Sequence, residues 1–443
     1  MSKKVRDYLL IFFVIAFIVM TIIVSLYASG YKFNLSWPLN FNRLLQKTGM
    51  LVVDTNPTRA IIYLNDKPEK NPSLNPWKKD YLTTPTKIKN LLPGEYELQL
   101  EVEGYWPYKQ KIGINSGETT FVEDVNLFLN NLPLLVTVSP KGDLSLSPDK
   151  KYLYVSGTKK IINLKTELFR NLNLPDNISG TWQKNNKLLA AGKIFDSIKE
   201  ANDIDYLNLI GTGATNFYLN DAAERLYYQN NNSINYLEIN NKISSLVISG
   251  KNYLDYKIDQ ENIFTIISEN KQIKLEVYSL KSHKITATWT LSNSGDYSFK
   301  SDIPNYLTIY DKRNRTLYLF TTTDIGSGPI VIRNIKNWAV RDNQSLIYTN
   351  DFEIYVFNFE DNNVDLITRR GEEISDIVWN TTGNYLIFSS PNTLNVLDFK
   401  NRNTTSLFKA ETVASPVFDS KNDTLYFWAR IGQQEGVYKM LMQ

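Results

Sequence analysis

A polar turn followed by a short strand centred on one aliphatic residue returns eight times along the C-terminal part of this 443-residue chain. The centres are Leu153, Leu188, Leu226, Ile263, Leu307, Leu346, Leu386 and Leu425, at intervals of 35, 38, 37, 44, 39, 40 and 39 residues. The fullest copies read LSLSPDKKYLYV at 144–155, ISDIVWNTTGNYLIF at 374–388 and VFDSKNDTLYF at 417–427. A third alternating run follows, such as 354–357 or 394–397, and often a fourth, such as 405–408. Four short strands in about 40 residues is the unit of a β-propeller blade, which buries its apolar faces only against its neighbours. Eight centres predict eight blades. Seven are also consistent, because the interval before Leu307 is long and the Ile263 unit matches poorly. The last unit runs out after three strands, while Leu134-Leu135-Val136-Thr137-Val138 stands unpaired before the first. Pairing the two predicts a closed ring with its sheet edges hidden.

The N-terminus obeys a different rule. Lys3, Lys4 and Arg6 precede residues 9–27, which carry no charge and only Thr21 and Ser25 as polar members. At 1.5 Å per residue this run spans roughly 28 Å as a helix, close to the hydrocarbon thickness of a bilayer. The positive flank predicts a short cytoplasmic segment, 1–8, and an outward-facing remainder. The expectation is a retained signal anchor over 9–30, with Leu9, Phe13, Phe17, Ile22 and Tyr27 in the membrane. A cleaved signal peptide is the competing reading. It expects a shorter apolar run and a small-x-small site, for which Ala28-x-Gly30 is a poor match. Residues 31–48 read as a membrane-proximal stalk, whose Tyr31, Trp37 and Phe41 rest at the headgroup level or pack on the next domain.

Between stalk and repeats, residues 49–128 hold short alternating runs separated by turns, with no helical period. In the clearest, Tyr96, Leu98, Leu100 and Val102 fall on one face. Antiparallel strands with one apolar face predict a small β-sandwich. The region resembles the PEGA domain family at Gly49-Met50-Leu51-Val52-Val53, Pro57, Ala60, Ile62-Tyr63-Leu64-Asn65, Thr84-Pro85, Leu92-Pro93-Gly94-Glu95-Tyr96, Gly104-Tyr105 and the stretch from Gly117 to Leu127. Two departures stand out. Arg59 replaces the glycine of the family's Pro-x-Gly-Ala turn, and an insertion at 67–82 brings three prolines and Trp77. The resemblance implies an extracytoplasmic binding or spacer module of bacterial surface proteins, without enzymatic residues. The repeats at 132–443 resemble propellers of the TolB-like and tryptophan–aspartate-repeat type. Ser147-Pro148-Asp149 is the nearest match to their Ser-Pro-Asp-Gly turn, with Lys150 in place of the glycine and Asn-rich equivalents elsewhere. The expected fold class is therefore all-β apart from one N-terminal transmembrane helix, a β-sandwich followed by a β-propeller.

Reactive groups are scarce. There is no cysteine, which removes disulfides, thiolate metal sites and cysteine nucleophiles. The single histidine, His283, sits in a Lys-Ser-His-Lys hairpin tip, a poor place for the base of a Ser-His-Asp triad or for zinc. Asp361, Asn363 and Asp365 imitate a calcium loop, but Leu366 stands where its glycine is required. Gly211-Thr-Gly213 and Gly326-Ser-Gly328 read as turns. Trp182, Trp338, Trp379 and Trp428 fall in or beside blade strands, where packing between blades is expected over ligand stacking. Trp77 and Trp106 are the candidate binding surface of the sandwich, as an aromatic platform or as edge packing. A net charge of +3 with dispersed Lys and Arg does not point to nucleic acid.

The expected function is a membrane-anchored, extracytoplasmic scaffold that binds protein or cell-envelope polymer, with no cofactor, no metal and no catalysis. The alternative is an envelope glycan hydrolase or lyase using acidic residues at the propeller mouth. It requires a deep acidic pocket with two carboxylates about 5–10 Å apart.

Overall fold

The computed structural model describes residues 3–33, 45–71, 80–175, 179–183, 186–197, 203–220, 224–300, 303–380 and 384–443. Trp37, Phe41 and Trp77 lie outside them. The chain divides into two compact units, Met1–Asn131 with Leu397–Leu407 and Met442–Gln443, and Leu132–Val396 with Phe408–Leu441.

The first unit begins with helix α1, Lys3–Ala28. No Gly or Pro interrupts it, and Gly30, at φ +82°, ends it. Inside the apolar run the Thr21 hydroxyl donates to the Phe17 carbonyl at 2.8 Å, so this polar group is satisfied without water. From Arg6 to Ala28 the helix is long and apolar enough to cross a membrane, and none of its apolar window is covered by protein. Phe13 and Phe17 are 64% and 72% exposed, and Leu9, Ile22 and Tyr27 are exposed too. Tyr31–Phe33 then pairs antiparallel with Leu45–Lys47.

The sandwich follows. Strands β1 (Gly49–Asn56), β2 (Ile61–Leu64), β3 (Thr86–Leu91), β4 (Gly94–Glu101), β5 (Tyr108–Ile114) and β6 (Thr119–Asn126) form two sheets. One has the order β3-β1-β6; in the other β2, β4 and β5 are neighbours, with Lys67–Pro68 on the β2 edge. Alternation decides which side is buried. Leu51, Val53, Ile62, Leu98, Leu100, Ile112 and Val122 form the core, with Tyr96 and Val102 packed against it, as the period-two pattern predicts. Gly49 has no room for a side chain, because a Cβ there would lie 2.5 Å from the Asn115 carbonyl oxygen. One expectation needs correction. The strands are not all antiparallel, since β1 pairs with β6 in parallel. The chain passes through the second sheet before returning to the edge of β1, and such a long crossover allows a parallel return.

The repeats build eight four-stranded sheets among the described residues, each an antiparallel meander. Every one of the eight aliphatic centres lies in the second strand of its sheet and is at most 2% exposed. Each is flanked by strands on both sides and by neighbouring sheets above and below, so no other position in a unit is so consistently apolar. Seven sheets are consecutive in sequence. The eighth combines Thr412–Asp419, Thr424–Ile431 and Gln434–Leu441 with Leu134–Val138, which pairs antiparallel to the last of these. The innermost strand of the first sheet, Leu144–Leu146, neighbours that of the eighth, so the array closes.

Candidate functional site in the propeller channel

Residues in or beside the first strands of five sheets, with Tyr310 and Lys312 at the end of a second strand, line a central cavity of about 640 Å³. The side chains there do two jobs. Some stitch one sheet to the next. Asp376, opening the innermost strand of the seventh sheet, accepts from the Ser415 amide at 3.1 Å and the Ser389 hydroxyl at 3.2 Å. Ser415 sits at φ +50° in a bulge of the eighth sheet's inner strand, so its amide is turned out of the ladder and needs that carboxylate. Asp255 has the same role at the seam between the fourth and fifth sheets. It accepts from the Phe299 amide of the fifth sheet at 2.8 Å, and burial raises its carboxyl above the ordinary range. Asn337 joins the sixth and seventh sheets through the Ser375 carbonyl at 2.6 Å.

Others face the cavity. Lys300 and Lys312 come from the fifth sheet, Lys336 from the start of the sixth, and Asp143 opens the first. Tyr310 and Trp338 form an aromatic wall, ring centroids 5.1 Å apart, with the Tyr310 hydroxyl donating to the Ile335 carbonyl. Lys336 donates to Glu373 at 2.5 Å and to the Ile374 carbonyl at 2.8 Å, and its Nζ lies 3.7 Å from Asp351.

Asp351 belongs to a second cleft, of about 370 Å³, bounded by Asn334, Asn350, Phe352, Glu353, Arg369 and Arg370. Its best-held group is Glu353. Tyr355 donates to it at 2.6 Å, Asn350 at 2.6 Å and Arg369 Nε at 2.8 Å. These donors, Tyr355 first, lower its carboxyl from 4.5 to about 2, and the same contact pushes the Tyr355 hydroxyl up to about 12.

The residues singled out in the sequence fall elsewhere, with one exception. His283 is exposed at a turn of the fourth sheet, φ +53°, with Nδ1 3.4 Å from the Tyr278 hydroxyl. Leu366 lies within the strand Val364–Arg369, paired with Tyr355, so the Asp361 to Asp365 run is half turn and half strand. Trp182 and Trp428 pack between sheets, their indoles donating to the carbonyls of Ser145 and Ser139. Trp379 is half-buried beneath the Arg341 guanidinium. Trp338 is the exception, a packing residue that also lines the cavity. In the sandwich Trp106 is half-buried, its Nε1 enclosed without an acceptor, and its amide donates to Phe128. The lysines escaped the sequence because they are scattered; the one usable signal is that Lys300 and Lys336 directly adjoin innermost strands.

Comparison with known proteins bears on the sandwich. Residues 78–127 match the family model of the PEGA domain. The PEGA match takes in strands β3 to β6, and the Leu92-Pro93-Gly94 turn lies within it. No curated protein matches the chain. Among solved structures, it is similar to the Dos1 propeller (12% identity, 71% of this chain and 96% of that one, TM-score 0.48). It is also similar to an oligogalacturonate lyase from Vibrio parahaemolyticus (11% identity, 69% and 92%, TM-score 0.41). A third is Hsv2 from Kluyveromyces lactis (10% identity, 49% and 71%, TM-score 0.34). Likeness at this level bears on no function.

Proposed function

We propose that this protein is a single-pass membrane-anchored, extracytoplasmic binding protein whose propeller holds a protein or cell-envelope polymer at its central cavity. The observation that carries the reading is the cavity itself, where residues from five sheets converge on one polar, aromatic-walled space. The uncovered helix supports the anchor, and Lys3, Lys4 and Arg6 support an inward N-terminus. The PEGA match at 78–127 supports a place outside the membrane, where the notion of a binding or spacer module fits.

The glycan hydrolase alternative gains nothing from the lining. Two carboxylates, Asp143 and Asp376, face three lysines, and Asp376 is occupied by Ser415 and Ser389. The reading is tested with the full-length protein in lipid nanodiscs, used as bait against an envelope extract and a glycan array. Capture of a protein or polymer, lost on blocking the cavity with Ser415→Trp, is the expected result. Capture of nothing, or turnover of a glycan, would overturn it. Protease added to intact cells should digest the propeller and spare the N-terminus.

A further inference from the structure

We propose that the central cavity and the cleft beside it form one groove for an anionic glycopolymer, a chain of sugar or glycerol units bearing carboxylate or phosphate groups. This rests on the binding-protein reading and names the ligand class of the same site. Lys336 joins the two spaces, since it lines the cavity and its Nζ lies 3.7 Å from Asp351, which lines the cleft. Together, at about 640 and 370 Å³, they exceed what one sugar or glycerol phosphate unit fills, so the occupant is a segment of chain.

The charges decide its sign. Most carboxylates of the groove are already engaged. Asp351 holds Arg315 at 2.7 Å, Glu353 holds Arg369, Glu373 holds Lys336, and Asp376 is bound by an amide and a hydroxyl. Among the described residues, Lys300, Lys312 and Arg370 form no ion pair, although Lys300 stands near half-buried Asp255. Arg370 rests over the Phe388 ring, 5.6 Å from its centroid, which orients the guanidinium while leaving its donors available. Of the two cavity carboxylates, Asp376 is satisfied by an amide and a hydroxyl, which leaves Asp143 to oppose the lysines. The groove therefore offers cationic donors spaced along its length, with Trp338 and exposed Phe352 as flat apolar surfaces between them. Such surfaces favour a sugar ring over an acyclic phosphate linker.

The test uses full-length protein in phosphatidylcholine nanodiscs, which carry no net charge. It is titrated with hyaluronan oligosaccharides, poly(glycerol phosphate), neutral dextran and polyglutamate, following tryptophan fluorescence and heat at two ionic strengths. Hyaluronan or poly(glycerol phosphate) should bind, more weakly in high salt, and dextran should not; which of the two binds names the anionic group. Lys312→Gln and Arg370→Gln should each weaken binding about tenfold, the loss of one charge-assisted hydrogen bond, with unchanged circular dichroism. Lys281→Gln, on the far hairpin of the fourth sheet, should leave it intact. Equal binding of dextran, preferred binding of polyglutamate, or full affinity in the Lys312→Gln/Arg370→Gln double variant would each overturn the proposal. Silence with all four probes would overturn it too, while the capture experiment decides the broader reading independently.

Discussion

Two side chains stand where glycine would be expected, and both keep the glycine conformation. Arg59 has φ +71° in a turn of the sandwich, and Lys150 has φ +58° in the Ser-Pro-Asp turn of the first sheet. Asn186, Asn305, Asn384 and Asp423 occupy the matching turns of other sheets, also left-handed. Asparagine and aspartate tolerate that region; arginine and lysine enter it at a cost of about 1–2 kcal/mol. Arg59 is exposed, and glycine in its place relieves strain while adding freedom to the unfolded chain. Arg59→Gly should therefore raise stability by about 0.5–1 kcal/mol net, read as a higher urea midpoint at unchanged slope. Glu353 makes the second residue-scale prediction. Its folded carboxyl lies below its unfolded value, so ionisation favours the fold. The contribution is complete above pH 4.5 and vanishes as the pH falls through about 2. Glu353→Gln should flatten the acid limb of the stability curve in that window, measured by thermal melts from pH 6 to 2, and leave the slope above pH 5 unchanged. The sequence showed the missing glycines plainly. It did not show that backbone geometry would outlast them, because turn shape here is imposed by the strands on either side.

At the scale of strands, the second of each sheet was legible throughout, and the first only in the fullest copies, such as 144–155 and 374–388. Leu153, Leu226 and Leu386 repeat because a position enclosed on all sides admits one kind of side chain. The innermost strands touch the channel, where Asp376, Asn337 and Ser415 differ from sheet to sheet, so no periodicity marks them. What Asp376, Asn337 and Asp255 share is a task that only the assembled ring reveals, satisfying an amide or carbonyl of the next sheet. Asp376→Ala should leave the Ser415 amide without its acceptor and cost about 1–3 kcal/mol. Hydrogen exchange should quicken at Ser415 and along Thr412–Asp419, while the first four sheets keep their protection. Uniform loosening of all eight sheets would contradict a role confined to one seam. The candidate groove was hidden for the same reason, since Lys300, Lys312, Lys336 and Arg370 are ordinary surface residues until the sheets bring them together.

For the molecule as a whole, the sequence foretold closure correctly from two incomplete pieces, an orphan strand at one end of the array and a three-stranded unit at the other. The parallel β1–β6 pair was not legible, because alternation reports which side of a strand is buried and says nothing of its direction. Truncation after Ile431 removes the strand that lies between Leu134–Val138 and Thr424–Ile431. The expected outcome is aggregation with loss of the single cooperative melt, seen by size-exclusion chromatography and calorimetry, whereas Arg59→Gly alters neither. The partnership of Leu134–Val138 with Gln434–Leu441 also sets a schedule. A ribosome makes the first of these strands long before the second. The bare, uncharged edge of Leu134–Val138 must then be kept from foreign strands for the entire interval of synthesis, so the waiting time before locking, rather than the strength of the finished lock, is where a chaperone would earn its place.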